Sequence, residues 1–486
     1  MKPALLALAA LLLASCARRS DSVGEAQRDA PRELPSGGAS VNGPVLSYAN
    51  VVQVVAPAVV TVRSSHRVRA PQQFPFFDDP FFRQFFGGNP RRGGATEVEH
   101  ALGSGVIVRA DGYILTNQHV VDGAEDIRVD LVSRRTFSAK LVGQDSPSDL
   151  AVLKISASDL PVLELGNSDQ VRVGDVCLAV GNPLGLGESV TAGIVSAKGR
   201  ETGLSNGSFQ DFLQTDAPIN QGNSGGALVN TRGELIGINS QILSPSGGGN
   251  IGIGFAIPSN MARSVMNQLI SRGKVERGEI GVSIQPVTSE IAQSMGLKQV
   301  QGVLVASVNP GSPAEKAGLK AGDIILQFNG QNVNDPNTLR NEVAGTAPGS
   351  EVTLTILRNG AQQQIRVREG ELHPADQSGQ NAPAGAGGGG VSAGKLGLSL
   401  IPLTPDLDAQ LGLKPGTQGL VVQAVDPNGP AAQAGIQPGD VIQQVNRQPV
   451  RTADDMRAAL AKSDGRPPLL MINRNGQTAF VAVPVQ

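Results

Sequence analysis

The chain has 486 residues, and at about 150 residues per domain this length predicts about three domains with separate cores. Its 61 glycines, 32 prolines and 3% aromatic residues favour turn-rich β structure over long helices. The 40 basic and 42 acidic residues leave a net charge of −2, so the charge predicts no nucleic-acid partner.

The first 16 residues have the pattern of a secretory signal. Lys2 precedes an apolar run, residues 5–13, which is too short to span a bilayer. The run ends in Leu-Ala-Ser-Cys, which resembles a lipobox, the motif whose Cys receives lipid and becomes the mature N-terminus. We therefore expect a periplasmic protein anchored to the inner or outer membrane through Cys16. An ordinary signal peptide with an incidental Cys is the alternative.

Residues 17–44 are polar and rich in Ser, Gly and charge, which predicts a flexible tether. From residue 45 to residue 272, apolar runs of strand length alternate with turn signals, as in a β-sandwich or barrel. Cys177 lies inside one such run and is predicted to be a small buried hydrophobic residue. A disulfide between Cys177 and Cys16 stays open as an alternative, and lipidation of Cys16 would preclude it.

A phenylalanine-rich segment interrupts these strands. Residues 74–86 read FPFFDDPFFRQFF and hold seven of the 13 phenylalanines, and Pro75 and Pro80 argue against a regular helix or strand. We expect a loop, about residues 66–100, that docks on another surface. The side chains expected to make these contacts are Phe76, Phe77, Phe81, Phe82, Phe85 and Phe86.

The second half of the chain contains an internal duplication. Residues 302–305 (GVLV) match residues 419–422 (GLVV) at an offset of 117, and the same shift carries residues 322–324 (GDI) onto residues 439–441 (GDV). An offset this long predicts two similar domains rather than stacked short repeats. We expect these domains at residues 278–372 and 394–486, joined by a Gly/Pro-rich linker at residues 373–393.

Three residues in the first half have the types and order of a serine-protease triad. His119 follows the strand-like run YIL, and Asp149 precedes the run LAVL, although Asp145 and Asp122 compete for the role of the acid. Ser224 lies in the run GNSGG, where glycines allow a sharp turn that presents N–H groups to a substrate oxygen. The order His, Asp, Ser is that of the chymotrypsin arrangement and not that of the α/β-hydrolases.

Several longer runs resemble the HtrA (Do-like, DegP-type) periplasmic serine proteases. These runs are TNQHVV, SDLAVLKI, GNPLGLGESVTAGIVSA, LQTDAPINQGNSGGALVN and GIGFAIPSN, and the resemblance covers about residues 45–486. It implies an all-β-dominated fold, with a chymotrypsin-like double β-barrel followed by two PDZ domains of β-rich α+β type. It also implies that His119 is the general base, Asp149 the orienting acid and Ser224 the nucleophile.

The resemblance extends to the binding sites. It places the oxyanion hole at the backbone N–H groups of Gly222, Asn223 and Ser224. By similarity, Ile219 and Ile242 line the S1 pocket, and because Pro218 stands where trypsin-like relatives carry an acid, we expect cleavage after small aliphatic residues. The peptide-binding loops of the two PDZ domains map to Glu279, Ile280, Gly281 and Val282, and to Lys395, Leu396, Gly397 and Leu398.

The implied activity is ATP-independent endoproteolysis of unfolded or misfolded envelope proteins, regulated by PDZ domains that bind substrate C-termini. The sequence contains no GxxxxGK[ST] motif, and no cofactor or metal is expected. The implied partners are unfolded proteins or peptides with exposed hydrophobic C-termini, and further copies of this chain in a homotrimer or larger oligomer. A chaperone or scaffold in which PDZ binding dominates and proteolysis is minor is the alternative.

Overall fold

In the computed structural model, the described residues are 47–68, 97–182, 188–202, 209–220, 222–242, 250–372, 391–393, 396–411, 413, 416–463 and 465–484. The predicted signal segment with Cys16, most of the tether and the phenylalanine-rich segment lie outside them. No helix among these residues is long and apolar enough to cross a membrane.

The first six strands close into a barrel. Its hydrogen-bonding order is β1-β2-β3-β6-β5-β4, and apolar side chains such as Ile107, Ile114 and Leu153 fill its interior without exposure. A short helix, α1, and a 3₁₀ turn (Ala56–Ala58) precede the barrel, and a second helix, α2, connects β3 to β4. The elements are α1 (Ala49–Val55), β1 (Val59–Val68), β2 (Glu97–Ile107), β3 (Tyr113–Thr116), α2 (Gln118–Val121), β4 (Asp126–Asp130), β5 (Thr136–Asp145) and β6 (Leu150–Ile155).

The next six strands close into a second barrel of the same size. Its order is β10-β11-β12-β9-β8-β7, and the helix that follows it, α3, packs against both barrels through β5, β6 and β11. The elements are β7 (Val176–Gly181), β8 (Ser189–Arg200), β9 (Phe212–Thr215), β10 (Ala227–Asn230), β11 (Leu235–Ile242), β12 (Gly254–Pro258) and α3 (Ser259–Arg272).

The first PDZ domain has a sheet of order β14-β15-β16-β18-β19, with β17 paired to β16, and a separate pair of strands, β13 and β20. Its long helix, α6, begins where Asp335 accepts a hydrogen bond from the backbone of Thr338, an N-cap. The elements are β13 (Gly278–Glu279), β14 (Val282–Pro286), α4 (Ser289–Met295), β15 (Val303–Val308), α5 (Pro313–Lys316), β16 (Ile324–Phe328), β17 (Gln331–Asn332), α6 (Pro336–Gly345), β18 (Glu351–Arg358), β19 (Ala361–Arg368) and β20 (Gly370–Glu371).

The second PDZ domain repeats the main sheet of the first with one added strand at its edge. Its sheet has the order β21-β22-β23-β24-β26-β27, and β25 pairs with β24. The elements are β21 (Val391–Ala393), β22 (Leu398–Pro402), α7 (Pro405–Gln410), β23 (Leu420–Val425), α8 (Pro430–Gln433), β24 (Val441–Val445), β25 (Gln448–Pro449), α9 (Ala453–Ala461), β26 (Leu469–Arg474) and β27 (Gln477–Ala482).

Two predicted boundaries differ from the structure. Strands β1 and β2 pair in register from Val59 opposite Val106 to Val68 opposite Glu97, so the segment between them is 69–96 rather than 66–100. The predicted linker, residues 373–393, ends too late, because Val391–Ala393 forms strand β21 of the second PDZ sheet. In both places backbone pairing extends beyond the residues whose composition favours a strand.

The first PDZ domain contacts the barrels and the second PDZ domain. Arg277 donates to Asp145 of the first barrel at 2.8 Å, and Asn337 and Asn341 of α6 both donate to the Gln210 carbonyl at 2.7 Å. Between the two PDZ domains, the Gln285 side chain donates to and accepts from the backbone of Phe480 at 2.9 and 2.8 Å. The first PDZ domain thus contacts the end of β5 in the first barrel and the segment just before β9 in the second.

Candidate active site

The turn between β3 and α2 holds His119 in place. The Thr116 hydroxyl donates to the Ser104 carbonyl at 2.7 Å, which fixes the end of β3 against β2. The Asn117 side chain and the Gln118 backbone N–H both donate to the carbonyl of Asp149, at 3.0 and 3.1 Å. The segment that carries His119 is therefore tied to the residue that carries the acid.

Asp149 binds the imidazole of His119. Both Asp149 carboxylate oxygens lie 2.9 Å from His119 Nδ1, and Oδ1 also accepts the His119 backbone N–H at 3.1 Å. Asp149 has a φ of 55°, a left-handed conformation that Asp tolerates better than most residues, between a 3₁₀ turn (Ser146–Ser148) and β6. A carboxylate at Nδ1 fixes the ring orientation and leaves Nε2 to exchange a proton.

Ser224 lies in a sharp turn before β10. Gly222 and Gly225 have φ values of 96° and 80°, and a Cβ on Gly225 would lie 2.2 Å from the Ser104 carbonyl oxygen. The Ser104 N–H donates to the Ser224 carbonyl at 2.8 Å. The turn therefore needs glycine at position 225 and is held against the first barrel.

Ser240 connects the serine and the acid. Its hydroxyl donates to Asp149 Oδ2 at 2.8 Å, and its backbone carbonyl accepts the Ser224 hydroxyl at 3.1 Å. Ser240 is buried in β11, and no sequence motif marks it, because a serine within a strand has no distinctive neighbours. The structure therefore places His119, Asp149 and Ser224 in one hydrogen-bonded group that includes an unpredicted residue.

The two competing acids are engaged elsewhere. Asp145 accepts from Arg277 and from the Ser148 backbone N–H, at 2.8 and 3.1 Å. Asp122 accepts from the Gln118 side chain at 2.7 Å. The geometry thus favours Asp149 as the partner of His119.

The predicted oxyanion donors differ in their present hydrogen bonds. The N–H of Asn223 donates to the carbonyl of Asn220 at 3.0 Å, so in this conformation it is not available to a substrate oxygen. The Gly222 carbonyl accepts the Ser104 hydroxyl, which fixes the orientation of the peptide that joins Gly222 to Asn223. An oxyanion hole in this conformation would depend on Gly222 and Ser224.

Comparisons with known proteins show the family to which this chain belongs. Models of a trypsin-like peptidase domain and of two PDZ domains match residues 103–238, 278–368 and 421–474. The chain is 44% identical over 413 residues to a "Probable periplasmic serine endoprotease DegP-like" of Chlamydia trachomatis serovar D, covering 84% of this chain and 80% of that protein. A protein of the same name from Brucella suis biovar 1 is 43% identical over 478 residues, covering 91% and 90%. This chain belongs to the DegP-like family of HtrA-type serine endoproteases.

Solved structures of the family agree with the fold. The HtrA-type protease AlgW, solved with a decapeptide, is 47% identical, with a TM-score of 0.54 over 68% of this chain and 100% of that chain. AlgW with a tripeptide is 44% identical, with a TM-score of 0.55 over 68% and 99%. The predictions of a serine endoprotease, of the β-dominated fold with two barrels and two PDZ domains, and of the HtrA family are confirmed.

The two isoleucines predicted to line the S1 pocket of this DegP-like chain lie together in the second barrel. Ile219 and Ile242 are 1% and 5% exposed and belong to the same apolar cluster. Pro218, at the position of the acid in trypsin-like relatives, accepts the Thr191 hydroxyl at its carbonyl at 2.7 Å. A Cβ on Gly254 would lie 2.9 Å from Ile219 Cδ1, so glycine at this position leaves room for the Ile219 side chain.

The predicted peptide-binding loops of the two PDZ domains have the same backbone contacts. In the first, the carbonyls of Ile280 and Gly281 accept from Ala314 and Asn309 at 2.8 and 2.9 Å, while Glu279 lies in β13 and Val282 begins β14. In the second, the Leu396 and Gly397 carbonyls accept from Ala431 and Asp426 at 3.1 and 2.8 Å, and Leu398 begins β22. Lys395 lies outside the described residues.

Cys177 is a buried thiol in β7. It has no exposed surface, its Sγ lies 3.2 Å from the Thr215 hydroxyl, and burial raises the pKa of the thiol to about 11. A thiol with so high a pKa is protonated at neutral pH and unreactive. The position agrees with a small hydrophobic core residue, while Cys16 lies outside the described residues.

Proposed function

We propose that His119, Asp149 and Ser224 catalyse peptide-bond hydrolysis in unfolded or misfolded envelope proteins. The observation that carries the proposal is the 2.9 Å contact between Asp149 and His119 Nδ1, together with Ser240, which hydrogen-bonds both Asp149 and Ser224. A serine hydroxyl is a poor nucleophile without a base, and this arrangement supplies the base and holds its tautomer.

The reaction begins when the Ser224 hydroxyl exchanges its hydrogen bond with the Ser240 carbonyl for one with His119 Nε2. His119 then takes the hydroxyl proton as Ser224 Oγ attacks the scissile carbonyl carbon, and Asp149 stabilises the imidazolium. Backbone N–H groups of Gly222 and Ser224 would stabilise the oxyanion of the tetrahedral intermediate. His119 next gives its proton to the leaving amine, and water hydrolyses the acyl-enzyme with the same base.

We assign the S1 pocket to Ile219 and Ile242. Branched apolar walls and the absence of an acid at position 218 suit small aliphatic residues such as Val, Ala or Ile at P1. Cleavage-site mapping by mass spectrometry of an unfolded substrate checks this assignment. Cleavage mainly after Lys or Arg would refute it.

The PDZ domains are proposed to bind exposed hydrophobic C-termini and to regulate cleavage. Strand β14 pairs with β15 at the edge of its sheet, which suits an added peptide strand. Support also comes from AlgW, a related protease solved with a decapeptide. The loop at Gly281 would receive the terminal carboxylate, and the corresponding loop with Lys395 and Gly397 would do so in the second domain.

The proposals for the location and the assembly of this chain rest on its resemblance to the family. The relatives are named periplasmic endoproteases. We propose that lipid on Cys16 anchors this chain to a membrane and that the chain assembles as a homotrimer, with higher oligomers. We also propose that the phenylalanine-rich segment contacts neighbouring subunits or hydrophobic substrate. Mass measurement of the mature N-terminus tests the anchor, and deletion of residues 74–86, followed by light scattering and an activity assay, tests the role of the segment.

The central experiment compares the wild type with Ser224→Ala on unfolded casein and on a stable folded protein. Loss of the nucleophile should lower turnover by roughly six orders of magnitude while binding of casein is retained. The wild type should degrade casein and spare the folded protein. Equal proteolysis by both chains would refute the assignment of Ser224.

A further inference from the structure

The first long strands of the two PDZ domains have different neighbours. Strand β14 lies at the edge of its sheet and, among the described residues, pairs with β15. Strand β22 is an interior strand, with β23 on one side and β21 on the other. Strand β21, at the start of the second PDZ domain, thus lies on the side of β22 that corresponds to the unpaired side of β14 among the described residues.

Strand β21 has the position and direction of an added peptide. A peptide that binds a PDZ domain extends the sheet beside this strand, in the groove next to the long helix. Strand β21 runs antiparallel to β22, with Val391 opposite Leu400 and Ala393 opposite Leu398, and it also contacts α9. Its C-terminal end therefore lies towards the peptide-binding loop at Gly397.

The second groove keeps its backbone framework while it holds β21. The Gly397 carbonyl accepts from Asp426 at 2.8 Å, as the Gly281 carbonyl accepts from Asn309 at 2.9 Å in the first domain. Gly397 and Gly281 also share a left-handed conformation, with φ values of 70° and 75°. The two grooves therefore share this backbone framework and differ in whether a strand of the chain occupies them.

We propose that the groove between β22 and α9 is a binding site whose ligand is the chain's own segment Val391–Ala393. The ligand class is a short, uncharged, extended peptide, here Val-Ser-Ala. This inference rests on the proposed capture of peptides by strand addition and deepens it: an external C-terminus enters the second groove only after β21 detaches, whereas the first groove accepts one directly.

Strand β21 is covalently joined to the domain whose groove it occupies, and this connection favours its binding there. A segment joined to its site through a few residues has an effective concentration in the millimolar range, so weak intrinsic affinity is sufficient to fill the groove. An external peptide then binds with an affinity reduced by the fraction of chains in which the groove is empty. The first PDZ domain becomes the preferred receptor without any difference in loop geometry.

Hydrogen exchange of the full chain carrying Ser224→Ala tests the proposal. Ser392→Pro removes a backbone donor from β21 and disfavours its pairing. Those amides of Leu398–Leu400 that point away from β23 should exchange at least about tenfold faster in this variant. Ala386→Pro, in the preceding glycine-rich run, is the matched control and should leave them unchanged, while β23 and β24 stay protected in both variants.

The proposal is overturned if those amides exchange equally fast with and without Ser392→Pro. It is also overturned if, in the parent chain, they exchange as fast as the corresponding amides of Val282–Ile284. The readout needs neither catalysis nor an external peptide, so failure of Ser224 to cleave casein would refute the proposed function and leave this result intact.

A crosslink gives a second measurement that does not depend on a proline. Ser392 lies directly opposite Ser399, and such pairs have Cα atoms about 4.5–5.5 Å apart, within the range of a disulfide. Ser392→Cys with Ser399→Cys should form a disulfide on mild oxidation, located by peptide mapping. Ser392→Cys with Ser283→Cys, the matching site in β14, should not. No crosslink in the first pair, or equal crosslinking in both, contradicts the proposal.

Discussion

The two PDZ domains share an internal framework and differ at their surroundings. In the first, buried Asp323 binds Arg358 at 2.7 Å and accepts the Lys320 N–H at 2.8 Å. In the second, Asp440 binds Arg474 at 2.6 Å and accepts the Gln437 N–H at 2.8 Å. The framework is therefore duplicated contact by contact.

The surroundings are not duplicated. The first domain contacts the barrels through Arg277 and α6, and its β14 lies at a sheet edge. The second contacts the first through Phe480, and its β22 is covered by β21. The two copies of the fold therefore differ in the segments that pack on them, and this difference supports the proposal that the first domain transmits peptide binding to the catalytic site.

The largest expected effect tests the shared framework. Asp323 and Asp440 are each 1% exposed, and replacing either with Ala leaves a partly buried arginine without its partner. We expect each substitution to lower the free energy of unfolding of its own domain by about 2–3 kcal/mol, because the charge-assisted hydrogen bonds of the buried carboxylate are lost. Chemical denaturation followed by domain-resolved hydrogen exchange measures the change.

Asp454→Ala is the matched control for these substitutions. Its ion pair with Arg457 is exposed, with side-chain exposures of 83% and 72%, and such pairs contribute about 0–1 kcal/mol. Similar losses of unfolding free energy in Asp323→Ala and Asp440→Ala would support a framework that the two domains share. If one of these losses were no larger than the loss in Asp454→Ala, the shared framework would be contradicted.

The second prediction concerns the contact between the first PDZ domain and the barrel. Arg277 and Asp145 are 11% and 7% exposed, and Asp145 also holds the 3₁₀ turn that leads to Asp149. Arg277→Met should lower kcat by about tenfold, about 1.4 kcal/mol, because the turn that positions the acid loses its anchor. Steady-state kinetics on a peptide substrate provide the measurement.

Arg447→Met is the control from the second PDZ domain. Arg447 donates to Asn359 at 2.6 Å across the contact between the two PDZ domains, without touching the barrel. We expect kcat to stay within about twofold of the parent value. If Arg277→Met and Arg447→Met changed kcat equally, the contact between the first PDZ domain and the barrel would have no specific effect on the catalytic site.

The third prediction is a pH dependence built into the first domain. Burial raises the pKa of Glu369 to about 7 from 4.5, and within the described part of the chain its carboxylate oxygens have no hydrogen-bond partner. The folded state therefore holds this proton more tightly than the unfolded chain. The free energy of unfolding should fall as pH rises from about 4.5 to about 7, by at most about 1.4 kcal/mol per pH unit.

Glu369→Gln should flatten this slope, because the amide does not titrate. Thermal unfolding between pH 4.5 and 7.5 measures it, with Glu351→Gln, at an exposed residue that begins β18, as the control. Burial also raises the pKa of Asp211 to about 6, against the opposing charge of Lys198, so part of the slope below pH 6 should persist in both variants. An unchanged slope above pH 6 in Glu369→Gln would contradict the prediction.

Most of the fold and of the candidate site could be predicted from the sequence. Apolar runs such as residues 150–153 and 176–180 are strands because their side chains fill closed barrels, and His119 and Asp149 lie at strand ends where short motifs mark them. The duplication located both PDZ domains because the turn before β16 and β24 repeats residue by residue. Periodicity and motif were sufficient wherever local chemistry sets the backbone.

The features that could not be predicted from the sequence depend on contacts between segments that are far apart in the chain. Ser240 is 91 residues from Asp149, and nothing beside it in the sequence indicates its hydrogen bond to the acid. Residue types and strand ends alone left Asp122 and Asp145 as alternatives to Asp149, which the family resemblance favoured. The contact of Asp145 with Arg277, 132 residues away, has no signal in the sequence. Composition placed residues 391–393 in a linker, because a strand of three residues has no periodicity to detect.

The central claim is that Ser224 is activated by His119, which Asp149 orients. Labelling of the full chain with diisopropyl fluorophosphate, followed by peptide mass spectrometry, tests it most directly. We predict one adduct, on Ser224, that is lost in His119→Ala and forms roughly 10⁴-fold more slowly in Asp149→Asn. An adduct on another serine, or equal labelling of Ser224 in His119→Ala, would contradict the account.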